Sequence, residues 1–154
     1  ISDFTKDTIY ELRDTIWAMN KNEISLEDLQ ARVSNFVDKA DLSSNKINFN
    51  FSIDDSLSKD LKFTSVMGMN IYRIIQEAIN NAIKYAKAKN IIIDIKKDKN
   101  ALQFLVKDDG VGFDESEIKS GNGLNNIKKR AEEINARIVI ESTINKGTLV
   151  KLIV

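Results

Sequence analysis

The chain has 154 residues, 42% of them hydrophobic, enough for one domain with its own core and too many for wholesale disorder. Lys plus Arg and Asp plus Glu both number 23, so the net charge is zero and nonspecific binding to a nucleic-acid backbone is disfavoured. Without Cys or His, its chemistry must be built from carboxylates, amides, Lys, Arg and backbone. No apolar run approaches the roughly 20 residues that span a bilayer. A chain that opens on Ile1 with no signal peptide is expected to be a piece cut from a longer protein.

From Thr5 to about Lys21, Ile9, Leu12, Ile16 and Met19 recur at three-four spacing, a helical seam that wants a partner helix. Asn20-Lys21-Asn22 breaks the pattern, and Ser25 with Asp28 reads as a capping box in which Asp replaces Glu. Leu26, Leu29, Val33, Phe36 and Val37 stripe a second helix ending near Ala40. Ile47, Phe49, Phe51 and Ile53 alternate with Asn48, Asn50, Ser52 and Asp54, which predicts a half-buried strand. A long helix is expected from about Ser65 to Ala88, then strands over Ile91–Lys97 and Leu102–Lys107 around a turn at Asp98-Lys99-Asn100. Between Asp108 and Gly123 the periodicity lapses, and four of the six glycines fall there. Leu124 to Ile134 reads as helix, and Arg137–Ser142 with Thr148–Val154 as a hairpin around Asn145-Lys146-Gly147. Hairpin-joined strands with intervening helices predict an α+β sandwich: a mixed sheet and one helical layer, with a short N-terminal helical segment.

Two segments carry chemistry. On the long helix Ile71, Ile74, Ile75, Ala78, Ile79, Ala82 and Ala86 form the face that must pack on the sheet. Opposite them Glu77, Asn81 and Lys84 align at i, i+4 and i+7. A carboxylate can take a proton, an amide oxygen is a neutral hard ligand for Mg²⁺, and an ammonium can meet phosphate. The same three residues would also serve as an ordinary solvated face. The second segment starts with Asp108-Asp109-Gly110-Val111-Gly112-Phe113 at a strand end and closes with Gly121-Asn122-Gly123-Leu124 at a helix start. Its paired glycines admit close backbone approach to a ligand, and the helix start offers free N–H groups to an anion. Asp108 can accept a hydrogen bond from an exocyclic amine. Neither G-x-x-x-x-G-K-[ST] nor G-x-G-x-x-G occurs, so a P-loop and a dinucleotide fold are unsupported.

Together these segments resemble the GHKL (Bergerat) ATP-binding fold, and specifically the catalytic domain of a two-component sensor histidine kinase. Gln76 through Ala86 is similar to the family's asparagine box, and Asp108 through Phe113 to its first glycine box. Gly121 through Ala131 resembles the second, and Lys146-Gly147-Thr148 the last Gly-Thr element. Glu11 through Asn20 resembles the end of the second dimerisation helix in the nitrate-sensor-like branch of these kinases. Residues 1–22 would then be the C-terminal end of the dimerisation helix, and 23–154 the ATP-binding catalytic domain.

The resemblance implies ATP and Mg²⁺ as cofactors. Asn81 would bind the Mg²⁺ that bridges the phosphates, and Asp108 would hold the adenine amino group with support from Thr148. Gly110 and Gly112 would let the chain pass close to the nucleotide. Gly121, Gly123 and Leu124 would close a lid over the phosphates, and Lys84 would contact them. Two roles stay open for Glu77, activating water as in the family's ATPases or assisting the acceptor imidazole as in its kinases. The implied partners are the protein's own dimerisation domain with its acceptor His, in a homodimer, and a response-regulator receiver domain. Nucleic acid and direct membrane contact are not expected. The implied location is cytoplasmic, any membrane anchor lying outside these residues. Because the chain has no His, it would carry the catalytic groups without the acceptor. The alternatives are a nucleotide-responsive interaction module without transfer, or another GHKL protein such as an ATPase or an anti-sigma Ser/Thr kinase.

Overall fold

The computed structural model describes residues 3–19, 22–43, 46–115 and 122–154. Helix α1 (Asp3–Met19) leads through strand β1 (Glu23–Ser25) into α2 (Leu26–Ser43). Strands β2 (Asn48–Ile53) and β3 (Lys62–Thr64) precede the long α3 (Ser65–Lys84). Then come β4 (Asn90–Asp98), β5 (Ala101–Asp108), α4 (Asn122–Glu133), β6 (Arg137–Thr143) and β7 (Gly147–Ile153). The main sheet has the order β2-β4-β5-β7-β6, parallel at β2–β4 and antiparallel elsewhere. This is the expected mixed sheet, with α2, α3 and α4 on one side and the polar residues Asn48, Asn50 and Ser52 exposed on the other. Asn20 and Lys21, expected to end the first helix, lie outside the described residues.

The register explains the core. Across the sheet, Ile53, Ile95, Phe104, Leu152 and Ile138 form one transverse row, and Phe51, Ile93, Val106, Val150 and Ile140 the next. Ile71, Ile74, Ile75, Ala78, Ile79 and Ala82 of α3 are buried in the same cluster. At about 1.5–3 kcal/mol for each large apolar side chain withdrawn from water, this face holds the helix to the sheet. The third row begins Phe49, Ile91 and continues Asp108, Thr148, Ser142. It turns polar halfway across, where the core gives way to a site.

Local signals behave as their chemistry requires. Ser25 and Asp28 cap α2 reciprocally: the Asp28 N–H donates to Ser25 Oγ at 3.0 Å, and the Ser25 N–H to Asp28 Oδ2 at 3.2 Å. The Thr64 hydroxyl caps α3 by accepting from the Met67 N–H at 3.1 Å. Two features differ from expectation. Strands β1 and β3 pair as a separate antiparallel ribbon, each three residues long and too short to show an alternation. And α3 stops at Lys84 rather than near Ala88, because tertiary partners claim the next backbone groups. The Ala86 carbonyl accepts the Val111 N–H at 2.7 Å, and the Lys89 and Asn90 N–H groups donate to Asp109 Oδ1 at 2.8 and 2.9 Å.

Helix α1 is tied to the domain by a buried charge cluster. Asp14, 5% exposed, accepts from Arg32 of α2 at 3.1 Å and faces Arg73 of α3 at 3.7 Å. The Tyr72 hydroxyl also donates to it; burial, helped by the Asp14 charge, pushes that phenol well above its ordinary value. Trp17 stands edge-on to Tyr72 at 6.4 Å, with the Arg32 guanidinium 4.7 Å above its ring. Asp14→Ala leaves the buried Arg73 without this counter-charge, so we expect a loss of about 3–5 kcal/mol in urea unfolding. An unchanged unfolding midpoint would mean the cluster contributes nothing to holding α1.

Candidate functional site

A cavity of about 560 Å³ opens between α3, the polar end of the third row, and the start of α4, a volume suited to one small ligand. Its walls include Glu77, Asn81 and Lys84 from α3, Asp108 from β5, and Thr148 from β7. Gly112, Gly123 and Leu124 also line it. Eight residues singled out from four separate stretches of sequence thus meet around one space. The α3 side chains are therefore more than a solvated face: Glu77 and Asn81 are half-buried, while Lys84 stays exposed at the edge.

Adjacent carboxylates at the end of β5 have opposite environments. Asp108 is 7% exposed, and burial pushes its carboxyl above the ordinary value despite N–H donation from Gly110 (2.8 Å) and Thr148, with the Asp109 charge adding to the rise. Asp109 is held below its ordinary value, first by the Asn90 side-chain amide at 2.7 Å, then by backbone N–H donors at Asn90 and Lys89. Asp109 braces the loop against the chain leaving α3. Asp108 is a high-energy acceptor facing the cavity, where an amine donor would relieve it.

The glycines act through what they leave out. A Cβ on Gly123 would sit 2.7 Å from Glu77 Oε1 and 3.0 Å from Asn81 Oδ1, so the start of α4 closes directly over the polar edge of α3. Gly112 has φ +61° and packs on the Thr143 carbonyl, a conformation and a space that both exclude a side chain. Gly110 does not line the cavity; its missing side chain faces the Ala86 carbonyl, and its contribution is the N–H that meets Asp108. Gly121 lies outside the described residues.

Several residues here were not singled out in the sequence. Asn80 and Tyr85 line the cavity from within the asparagine box, Tyr85 being 73% exposed at its edge, and Asn126 lines it from α4. Phe113 lines it too, its N–H donating to Ser142 Oγ at 2.9 Å. For Ser142 the signal lay in strand register, and for Asp109 in the approach of the chain beyond α3, neither of which periodicity reveals. Among the described residues no group of three or more His, Cys, Asp or Glu could hold a metal. A divalent cation here must take most of its ligands from its substrate and water, as Mg²⁺ commonly does with phosphates, and Asn81 Oδ1 is a suitable oxygen donor.

The model of the "Histidine kinase-, DNA gyrase B-, and HSP90-like ATPase" family matches residues 68–154, more than half of the chain. The chain belongs to that ATPase family. It is also similar along its whole length to an uncharacterized sensor-like histidine kinase of Chloroflexus aurantiacus, at 27% identity and covering 27% of that protein. Oxygen sensor histidine kinase NreB of Staphylococcus carnosus is 36% identical over 59% of this chain and 27% of its own length. The chain spans about a quarter of the length of these relatives. The histidine kinase domain of the Erythrobacter litoralis EL346 blue-light activated kinase shares the fold with a TM-score of 0.70, at 17% identity, over 87% of this chain and 64% of that one. The catalytic domain of histidine kinase ThkA does so with a TM-score of 0.67, at 20% identity, over 86% and 94%.

This ATPase-family site generates two predictions. Because Asp108 is destabilised as a carboxylate in the folded chain, its share of stability is greatest at low pH. That share is lost as pH rises from the ordinary Asp value through the raised one. Asp108→Asn should flatten that part of the stability–pH profile, with a neutral-pH melting temperature no lower than wild type; a large drop would contradict the burial argument. Gly123→Val sets a side chain against the movable ends of Glu77 and Asn81, which can swing aside, so we expect a loss of no more than about 1 kcal/mol in chemical denaturation, a larger loss meaning that those side chains are held fixed.

Proposed function

We propose that this chain is the ATP-binding catalytic region of a sensor histidine kinase, moving the γ-phosphoryl group of ATP to a histidine on a dimerisation domain for relay to a response regulator. The observation that carries the proposal is the meeting of a buried, amine-seeking Asp108 with the Glu77-Asn81-Lys84 edge across one cavity. The names of the relatives support the kinase reading over other ATPases.

Each group has a task its environment allows. Asp108 accepts the exocyclic amine of adenine, which selects ATP over GTP because guanine carries an oxygen there. Asn81 supplies a neutral oxygen to Mg²⁺, and Lys84 offers positive charge to the phosphates. Mg²⁺ contributes charge neutralisation of the phosphates when bound. The N-terminus of α4, with Gly123 and Leu124, presents backbone N–H groups to the same anion. Glu77 stands beside Asn81 against Gly123, where it can orient the acceptor imidazole and take up its proton. Catalysis is then positioning and charge neutralisation of a phosphoryl group in flight.

With no His of its own, the chain needs an acceptor domain. Helix α1 supports residues 1–22 as the end of a dimerisation helix. Ile9, Leu12, Ile16 and Met19 are 39%, 57%, 55% and 78% exposed, a seam that a helix of a second copy would cover. The proposed location is the cytoplasm, where ATP is available; no helix among the described residues is long and apolar enough to cross a membrane.

Calorimetric titration with ATP, with and without Mg²⁺ and against GTP, tests the site. Mg²⁺-dependent binding of ATP but not GTP is expected, and a folded chain that binds neither would overturn the proposal. Asp108→Asn should weaken ATP roughly ten- to hundred-fold, the cost of losing a charge-assisted hydrogen bond. ATP affinity should also fall as pH is lowered through the raised pKa of Asp108. Asn81→Asp should alter the Mg²⁺ dependence and abolish phosphoryl transfer to an added acceptor-His domain; wild-type behaviour in both would remove Asn81 from the metal site.

A further inference from the structure

We infer that Ser142, which lies outside the cavity, is a positioning residue for adenine recognition: it holds the Thr148 hydroxyl and the first glycine loop in one hydrogen-bonded unit. The inference rests on the nucleotide-site reading above. Ser142 ends the third transverse row, paired with Thr148, which is itself paired with Asp108. The helix-facing side of the sheet is apolar in the two preceding rows, so three consecutive polar residues here need a polar reason.

A hydroxyl has one proton and two lone pairs, and the surroundings of Ser142 Oγ can use all three. The Phe113 N–H donates to it at 2.9 Å. Thr148 Oγ1 lies 2.8 Å away, a short hydroxyl–hydroxyl bond in which either can donate. The Gly147 carbonyl, at 3.3 Å, is a second acceptor for its proton. The Ser142 backbone is anchored as well, its N–H donating to Glu115 Oε1 at 2.8 Å. Thr148 and Phe113 both line the cavity, whereas Ser142 does not. Ser142 borders instead the adjoining pocket it shares with Phe113, Asp114 and Glu115, so it acts on a ligand of the main cavity only through these neighbours. It holds the Thr148 hydroxyl beside Asp108 and ties the loop after Gly112 to β6, linking the two sides of the base pocket.

A double-mutant cycle read by nucleotide affinity tests this. Ser142→Ala in the 154-residue chain should weaken ATP about five- to ten-fold, the effect of one neutral hydrogen bond. It should weaken purine riboside triphosphate, which lacks the 6-amino group, by less, narrowing the preference for adenine. In a Thr148→Val background the same substitution should cost less ATP affinity than in the wild type, because the Thr148 contact is already gone and only the tie to the Phe113 N–H is left to lose. Ser142→Thr keeps the hydroxyl on a β-branched strand residue and should restore both affinity and preference. Equal losses in both backgrounds with an unchanged preference would reduce Ser142 to a structural brace, and no loss on Ser142→Ala would end the inference outright. Failure of the wild-type chain to bind ATP would instead overturn the site reading, and this inference with it.

Discussion

The site depends on how one helix lies on one sheet. Helix α3 packs its isoleucines and alanines against the apolar rows of β4, β5 and β7, and that packing is indifferent to what the rest of the helix carries. Because Glu77, Asn81 and Lys84 belong to the same rigid rod, seating the apolar face fixes where they stand relative to Asp108 and Thr148. The third transverse row begins in the core at Phe49 and Ile91 and continues into Asp108 and Thr148, which line the cavity. Hydrophobic burial, which has no direction of its own, thereby sets the geometry of directional chemistry.

The two aspartates at the end of β5 sit in opposite environments. Asp109 is saturated with donors and holds the loop to the chain beyond α3. Asp108 is buried with its charged form disfavoured, an arrangement that costs the fold stability at neutral pH and that an amine donor in the cavity would relieve. Such local conflicts are expected where a chain binds something, since a group already satisfied has nothing to offer a partner. The glycines follow the same logic: Gly123 leaves the start of α4 in contact with the polar edge of α3, and Gly112 takes a left-handed turn against β6.

Helix α1 serves two surfaces at once. Asp14 and Trp17 face inward, onto two arginines and Tyr72, while Leu12, Ile16 and Met19 face outward. A buried carboxylate shared among several donors imposes one orientation, because a rotated helix would take Asp14 away from these donors. A helix fixed in that way is coupled to α3, which carries Arg73, Tyr72 and the site edge on one rod.

Much of this was legible in the residues alone. Three-four spacing found α1, α2, α3 and α4, alternation found β2, and box-like clusters found Asn81, Asp108, Gly112 and Thr148. These signals are local, and an amphipathic period records which face meets the core whatever that core contains. The end of α3, the β1–β3 ribbon, the bracing by Asp109, and the link from Ser142 to Thr148 were not legible. Each depends on which distant strand lies alongside, and a residue's own neighbours in sequence carry no trace of that. By itself the sequence determined the long elements, their buried faces and the residue types available for chemistry. Only the tertiary structure decided which polar groups share a cavity, because register and helix seating are settled by packing between segments far apart in the chain.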